Sequence, residues 1–378
     1  MERTANPPQT MPRARKSKTI FLGGVGIGGS QPVRVQSMTN TDTRNPKATL
    51  RQIQALARAG CEIVRVAVPD QVAVDAIRWL KTKKIPPLVA DIHFDHRLAL
   101  ASIEAGVDGL RINPGNIGSA RKIAQVVDAA QKQAIPIRIG VNSGSVEKDL
   151  LRKHHGPTPE AMLHSALRQI RLLEERNFQL IKISLKSSSV LNTLQAYQLL
   201  AQHTDYPLHI GITEAGTLLR GTVKSSVGLG LLLFQGLGDT IRVSLTGKPQ
   251  DEVLVAWEIL RSLGLRSRGP EIISCPTCGR TEIDLIQLTR AVERYLQPVQ
   301  EVFTVAVMGC AVNGPGEAKE ADIGLAGGRG MGVIFRKGKV IKKVLANRLL
   351  QDFKAELDSF ILELRKQQDL HQCKNRET

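Results

Sequence analysis

Residues Ile181-Lys182-Ile183-Ser184-Leu185-Lys186 alternate aliphatic with polar side chains. A β-strand turns successive side chains to opposite faces, so this stretch has one aliphatic face and one polar, cationic face. The same pattern recurs in Val64-Arg65-Val66, Leu110-Arg111-Ile112-Asn113, Ile137-Arg138-Ile139, Leu208-His209-Ile210-Gly211-Ile212-Thr213 and Ile241-Arg242-Val243-Ser244. A parallel strand buried on both faces by apolar neighbours reads as a continuous apolar run, and these do not. Their aliphatic sides are expected to meet covering helices and their polar sides to meet one another.

Strand-like runs are expected at 33–38, 63–68, 88–92, 109–113, 137–141, 180–185, 208–213 and 240–245. Amphipathic helical stretches at 49–59, 72–81, 97–105, 120–132, 159–175 and 190–203 fill the intervals. Eight βα units of this spacing close most naturally into a TIM (β/α)8 barrel, although an open doubly wound sheet uses the same units. Residues 19–38 read as a hairpin from 19–22 to 33–38 across a glycine turn. Its Gly24-x-Gly26-x-x-Gly29 leads into a strand, not a helix, so it is no dinucleotide fingerprint.

Closure of the barrel would put Arg65, Arg111, Arg138 and Arg242 inside it, with Asp91 and Glu214 as the main internal acids. Crowded cations are costly to desolvate unless paired, so an anionic guest is expected. Planar guanidinium forks match phosphate oxygens and lysine adds a point charge, which favours a diphosphate. Some of these side chains could instead face outward and snorkel between helices. Asp91 and His93 lie two residues apart on one strand face, where they could move protons or orient an arginine. His154 and His155 read as solvated, and Cys61 as a small buried hydrophobe.

The chain divides on paper into a basic flexible tail (1–18), the barrel (19–264), a linker (265–270) and a small α+β domain (271–378). That last part carries Cys275-Pro-Thr-Cys278 and Gly309-Cys310-Ala-Val-Asn-Gly-Pro-Gly-Glu317. A C-x-x-C turn aims two sulfurs the same way, and Cys310 opens a Gly/Pro-rich loop able to wrap an inorganic group. Structural zinc needs four nitrogen or sulfur ligands, and no second C-x-x-C or suitable histidine follows. A 4Fe-4S cluster on three cysteines fits better, with Glu317 the nearest candidate for the fourth iron. A redox pair or packed thiols remain the plainer alternative.

The 378 residues are 42% hydrophobic and only 3% aromatic, which argues against base-stacking platforms for nucleic acid. No apolar run reaches membrane-spanning length, and the uneven cysteine spacing suits a reducing compartment, so a cytoplasmic location is expected. The formal charge of +17 calls for an acidic partner or substrate.

Together, a basic barrel and the segment Gly309-Cys310-x-x-Asn313-Gly-Pro-Gly-Glu317 resemble the 4-hydroxy-3-methylbut-2-enyl diphosphate synthase family. The resemblance implies reductive ring opening and dehydration of 2-C-methyl-D-erythritol 2,4-cyclodiphosphate, with a substrate oxygen binding the unique iron of a 4Fe-4S cluster. It implies Cys275, Cys278, Cys310 and Glu317 as iron ligands. Arg65, Arg111, Asn113, Arg138, Asn142, Lys186, Arg242 and Ser244 would hold the diphosphate, and Glu214 would donate a proton or orient the carbon skeleton. Reduced flavodoxin or ferredoxin would supply electrons. The family is homodimeric, the cluster domain of one subunit facing the barrel of the other.

Overall fold

The computed structural model describes residues 15–113, 117–310 and 318–374. They fall into two compact units, Met1–Arg266 and Ser267–Thr378.

In the first unit, β1 (Ile20–Leu22) and β2 (Val25–Ile27) form an antiparallel hairpin. Eight parallel strands follow: β3 (Arg34–Met38), β4 (Ile63–Ala67), β5 (Leu88–Asp91), β6 (Gly109–Ile112), β7 (Ile137–Asn142), β8 (Ile181–Lys186), β9 (His209–Ile210) and β10 (Thr240–Ile241). The sheet runs β8-β7-β6-β5-β4-β3-β10-β9, and a bridge from Ile183 to Leu208 joins its two ends into a barrel. Helices cover the outside, starting where a short polar side chain can accept from the first turn: Asn45, Asp70, Asp95, Thr158 and Ser189 each do so. The outward strand residues Val64, Val66, Leu110, Ile112, Ile139, Ile183 and Leu185 join the helices in one large core. The hairpin differs from the expected one. Residues 34–38 pair with β4 and β10, while Ile20, Leu22 and Ile27 pack with Ile63 and Val89 under the N-terminal strand ends. Residues 15–18, expected within the flexible tail, include two anchored side chains: Arg15 donates to the carbonyls of Thr204 and Tyr206, and Ser17 to Asp239.

The second unit is a mixed sheet of β11 (Glu271–Ser274), β12 (Thr304–Met308), β13 (Ile323–Gly327), β14 (Met331–Arg336) and β15 (Lys339–Leu345), in that order. The first three strands are parallel and the last two antiparallel. Helices Leu285–Leu296 and Leu349–Lys374 pack on it through Val292, Leu296, Phe353 and Leu357. No helix among the described residues is long and apolar enough to cross a membrane.

Candidate active site

The inward faces of the strands carry the charge that the alternation predicted. Arg65, Arg111, Arg138, Lys182 and Lys186 are all buried, and Arg242 is half-buried. Room for them is cut into the backbone. A Cβ on Gly140 would stand 2.8 Å from Arg111 Nε, and one on Gly211 would stand 2.8 Å from Lys186 Nζ. Asp91, at the end of β5, sits 3.1 Å from Arg111 Nη1 and 3.5 Å from Arg65 Nε. Burial pushes its carboxyl up, but Arg65, His93, Arg111 and Arg138 outweigh this and hold it well below the usual carboxylate range. Arg65 also donates to the Met38 sulfur at 3.0 Å.

Two acids are thus set against a larger number of cations, and the second acid is not the expected one. Glu214 is exposed on a loop. Glu252 reaches in from helix Pro249–Ser262, is itself buried, and accepts from Ser37 Oγ at 3.0 Å and from Arg242 Nη2 at 3.5 Å. Burial leads in lowering Arg65 to about 10, helped by Arg242 and Arg111 and opposed by Asp91. Burial, then Arg65 and Arg111, draw Arg138 well below the usual guanidinium range. Lys186 is lowered strongly by burial and by Arg138. Arg138 Nε and Nη1, Arg111 Nε and Arg242 Nε are buried without a hydrogen-bond partner. A buried donor left unmade costs about 1–3 kcal/mol, so the lumen is built for an acceptor-rich, negatively charged guest.

At the C-terminal strand ends, Asn113 is buried, and Asn142 and Ser244 are partly exposed. His93 stands at the rim, 3.6 Å from Asp91 Oδ2. Glu214 adopts φ +51°, a left-handed conformation that side chains other than glycine enter at a cost. His154 does have a partner, since its Nε2 lies 2.8 Å from His164 Nδ1. Cys61 is a core residue whose thiol burial pushes up to about 12.

In the second unit Cys275, Cys278 and Cys310 are free thiols. Gly309 N donates to Cys275 Sγ at 3.3 Å, which draws the start of the Cys310 loop against the C-x-x-C turn. Thr281 closes that turn by exchanging hydrogen bonds with Cys278, and Glu282 N holds Gly309 O at 3.0 Å. Arg280 and Thr281 lower the Cys278 thiol and favour its thiolate. Glu317 lies outside the described residues. Among the described residues no three His, Cys, Asp or Glu side chains converge on the spacing of a single ion. Cluster thiolates bind separate irons and need no such convergence, so this donor set fits an iron-sulfur cluster.

A TIM barrel with a cationic lumen, followed in the same chain by a cysteine-bearing α+β unit, defines the class of enzyme. Residues 17–257 match the GcpE TIM-barrel domain and residues 271–359 the GcpE protein C-terminal domain. The chain belongs to the GcpE family. It is 65% identical over 354 residues to the 4-hydroxy-3-methylbut-2-en-1-yl diphosphate synthase (flavodoxin) of Maridesulfovibrio salexigens, covering 93% of this chain and 99% of that one. Its identity to the protein of the same name from Nitratidesulfovibrio vulgaris is 61% over 355 residues, covering 94% and 92%. Among solved structures, the dihydropteroate synthase of Stenotrophomonas maltophilia is similar at a TM-score of 0.49 and 14% identity, over 66% of this chain and 97% of that one.

Proposed function

We propose that this chain converts 2-C-methyl-D-erythritol 2,4-cyclodiphosphate to 4-hydroxy-3-methylbut-2-enyl diphosphate, in the cytoplasm, with electrons from reduced flavodoxin. Ferredoxin is the alternative donor. The observation that carries the reading is the excess of buried cations over Asp91 and Glu252 in the barrel lumen. Two electrons and two protons enter, the ring opens at a C–O bond, and one water leaves.

Arg65, Arg111, Arg138, Lys186 and Arg242, with Asn113, Asn142 and Ser244, hold the diphosphate and fix its C–O bond in place. Asp91 positions Arg65 and Arg111. His93 and Glu214 are the rim groups available to move protons. Cys275, Cys278 and Cys310 would ligate a 4Fe-4S cluster and Glu317 its fourth iron. When bound, the cluster supplies single electrons and a Lewis-acid position for the substrate oxygen. A second copy completes a homodimer in which each cluster domain faces the other subunit's barrel. The outward stripe Leu219, Val223, Val227 and Phe234, on a helix of the barrel wall, supports association of two copies through that wall.

Anaerobic turnover of the cyclic diphosphate with a chemical reductant tests the reaction. Product formed by wild type and lost in Lys186→Met is the expected result, and turnover unaffected by the substitution overturns the assignment. Glycine at position 214 relieves the left-handed backbone, so Glu214→Gly is expected to stabilise the fold by about 1 kcal/mol while lowering kcat by about a hundredfold. Urea unfolding and kinetics read the two effects separately. With flavodoxin as donor, the formal charge of +17 predicts reduction at least about tenfold slower at 0.5 M salt than at 0.05 M. Stopped-flow rates that do not change with salt would exclude steering by charge.

A further inference from the structure

The floor of the barrel has a polar cluster of its own, at the opposite end from the loops that follow the strands. Lys182 lies on the inward face of β8, four residues before Lys186, in register with Arg138 of β7. Arg138, Lys182 and Gln36 line a small cavity of about 10 Å³, together with Leu22 of the hairpin and with Val89 and Gly109 near the strand starts. A space of that size holds one water-sized guest. Lys182 is 2% exposed and its Nζ has no hydrogen-bond partner. The same is true of Arg138 Nε and Nη1 and of both polar atoms of the Gln36 amide. All of these atoms except the Gln36 oxygen are donors.

The carboxylate whose field reaches Lys182 is Asp239, and it is already engaged: it accepts from Ser17 Oγ and from Leu208 N, each at 2.7 Å. Two buried basic side chains therefore share a small space with an excess of donors that have no partner. Water accepts only two hydrogen bonds and carries no charge. A small anion accepts from every direction and neutralises.

We propose that this cavity binds one monatomic anion of halide size, held by Lys182, Arg138 and the Gln36 amide nitrogen. A halide is larger than water, so the lining must give way to admit it, and the flexible Lys182 stem is the part that can yield. Burial, then Arg138, lower the Lys182 ammonium to about 7, and a neighbouring anion opposes both and keeps it charged. Filled in this way, the floor removes part of the repulsion between Lys182 and Arg138. The site shares Arg138 with the proposed diphosphate site but takes Lys182 and Gln36 of its own, and its test reads anion binding and melting temperature, not turnover.

Crystals of the full-length chain grown without chloride and soaked in sodium bromide are expected to show an anomalous peak between Lys182 and Arg138. In solution, sodium bromide or chloride should raise the melting temperature by about 2 °C or more over sodium acetate at equal ionic strength, because acetate is too large for the cavity. Lys182→Met should abolish both the peak and the shift. A site that gives no bromide signal, or equal melting temperatures in the salts, overturns the proposal in favour of water. Should the variant fail to fold, the wild-type bromide map alone decides.

Discussion

Serine at position 310 is expected to lower turnover about a thousandfold, equivalent to about 4 kcal/mol of barrier, and to remove the broad visible absorption of the reconstituted protein. Cys310 is buried at 6% exposure, next to Gly309, whose amide is fixed on Cys275 Sγ. The substitution therefore changes the donor atom without changing the backbone that presents it. A serine hydroxyl at neutral pH keeps its proton and is a hard donor, poorly suited to iron that is otherwise bound by sulfur. Iron and sulfide analysis after anaerobic reconstitution gives a readout independent of activity. Cys61→Ser is the control: it places a hydroxyl in the barrel core and should weaken the fold while leaving iron content unchanged. Normal iron and normal kcat in the Cys310 variant would remove it from the ligand set.

The barrel was legible because its strands carry two signals at once. An aliphatic face repeated every second residue fixes the outward side, and an arginine or lysine between the aliphatic residues marks the inward side. Both hold at Arg65, Arg111, Arg138 and Lys186. The signal fails where geometry shortens the ladder. The runs at 208–213 and 240–245 alternate throughout, yet only His209–Ile210 and Thr240–Ile241 pair as strands. Helix Leu218–Phe234 was missed because Gly221, Gly228 and Gly230 lower helix propensity. Packing outweighs propensity there: a Cβ on Gly228 would stand 2.6 Å from Ile212 Cδ1, so the glycine lets the helix lie close on the barrel.

The electrostatics of the lumen were half legible. Cations on strands announce themselves, whereas the counter-charge Glu252 arrives from a helix whose periodicity describes a surface segment. Only its spacing from Ala256 and Leu260, on the apolar face of the helix, separates the acid that turns inward from Asp251 beside it. Lys182 stood in the quoted alternation but carried no sign that it faces the floor instead of the mouth. Depth along a barrel is set by register, here Arg138 against Lys182 and Asn142 against Lys186, and register becomes visible only once the strands are paired.

Asp91→Asn is expected to destabilise the barrel by about 3 kcal/mol, the usual loss when one member of a buried ion pair is removed. The carboxylate lies between Arg65 and Arg111, and an amide in its place turns N–H groups toward guanidinium groups that already repel one another. The pH dependence has a definite sign. Because the folded carboxyl is held below its ordinary 3.8, the stabilisation is complete above that value and is lost as pH falls through the folded one. Wild type and variant should therefore differ fully at pH 7 and converge in acid. Inorganic diphosphate should narrow the gap at neutral pH, since the cations that lose Asp91 gain more from an anion than those that keep it. A variant as stable as wild type at pH 7, or one indifferent to diphosphate, would mean that the lumen cations balance one another without help.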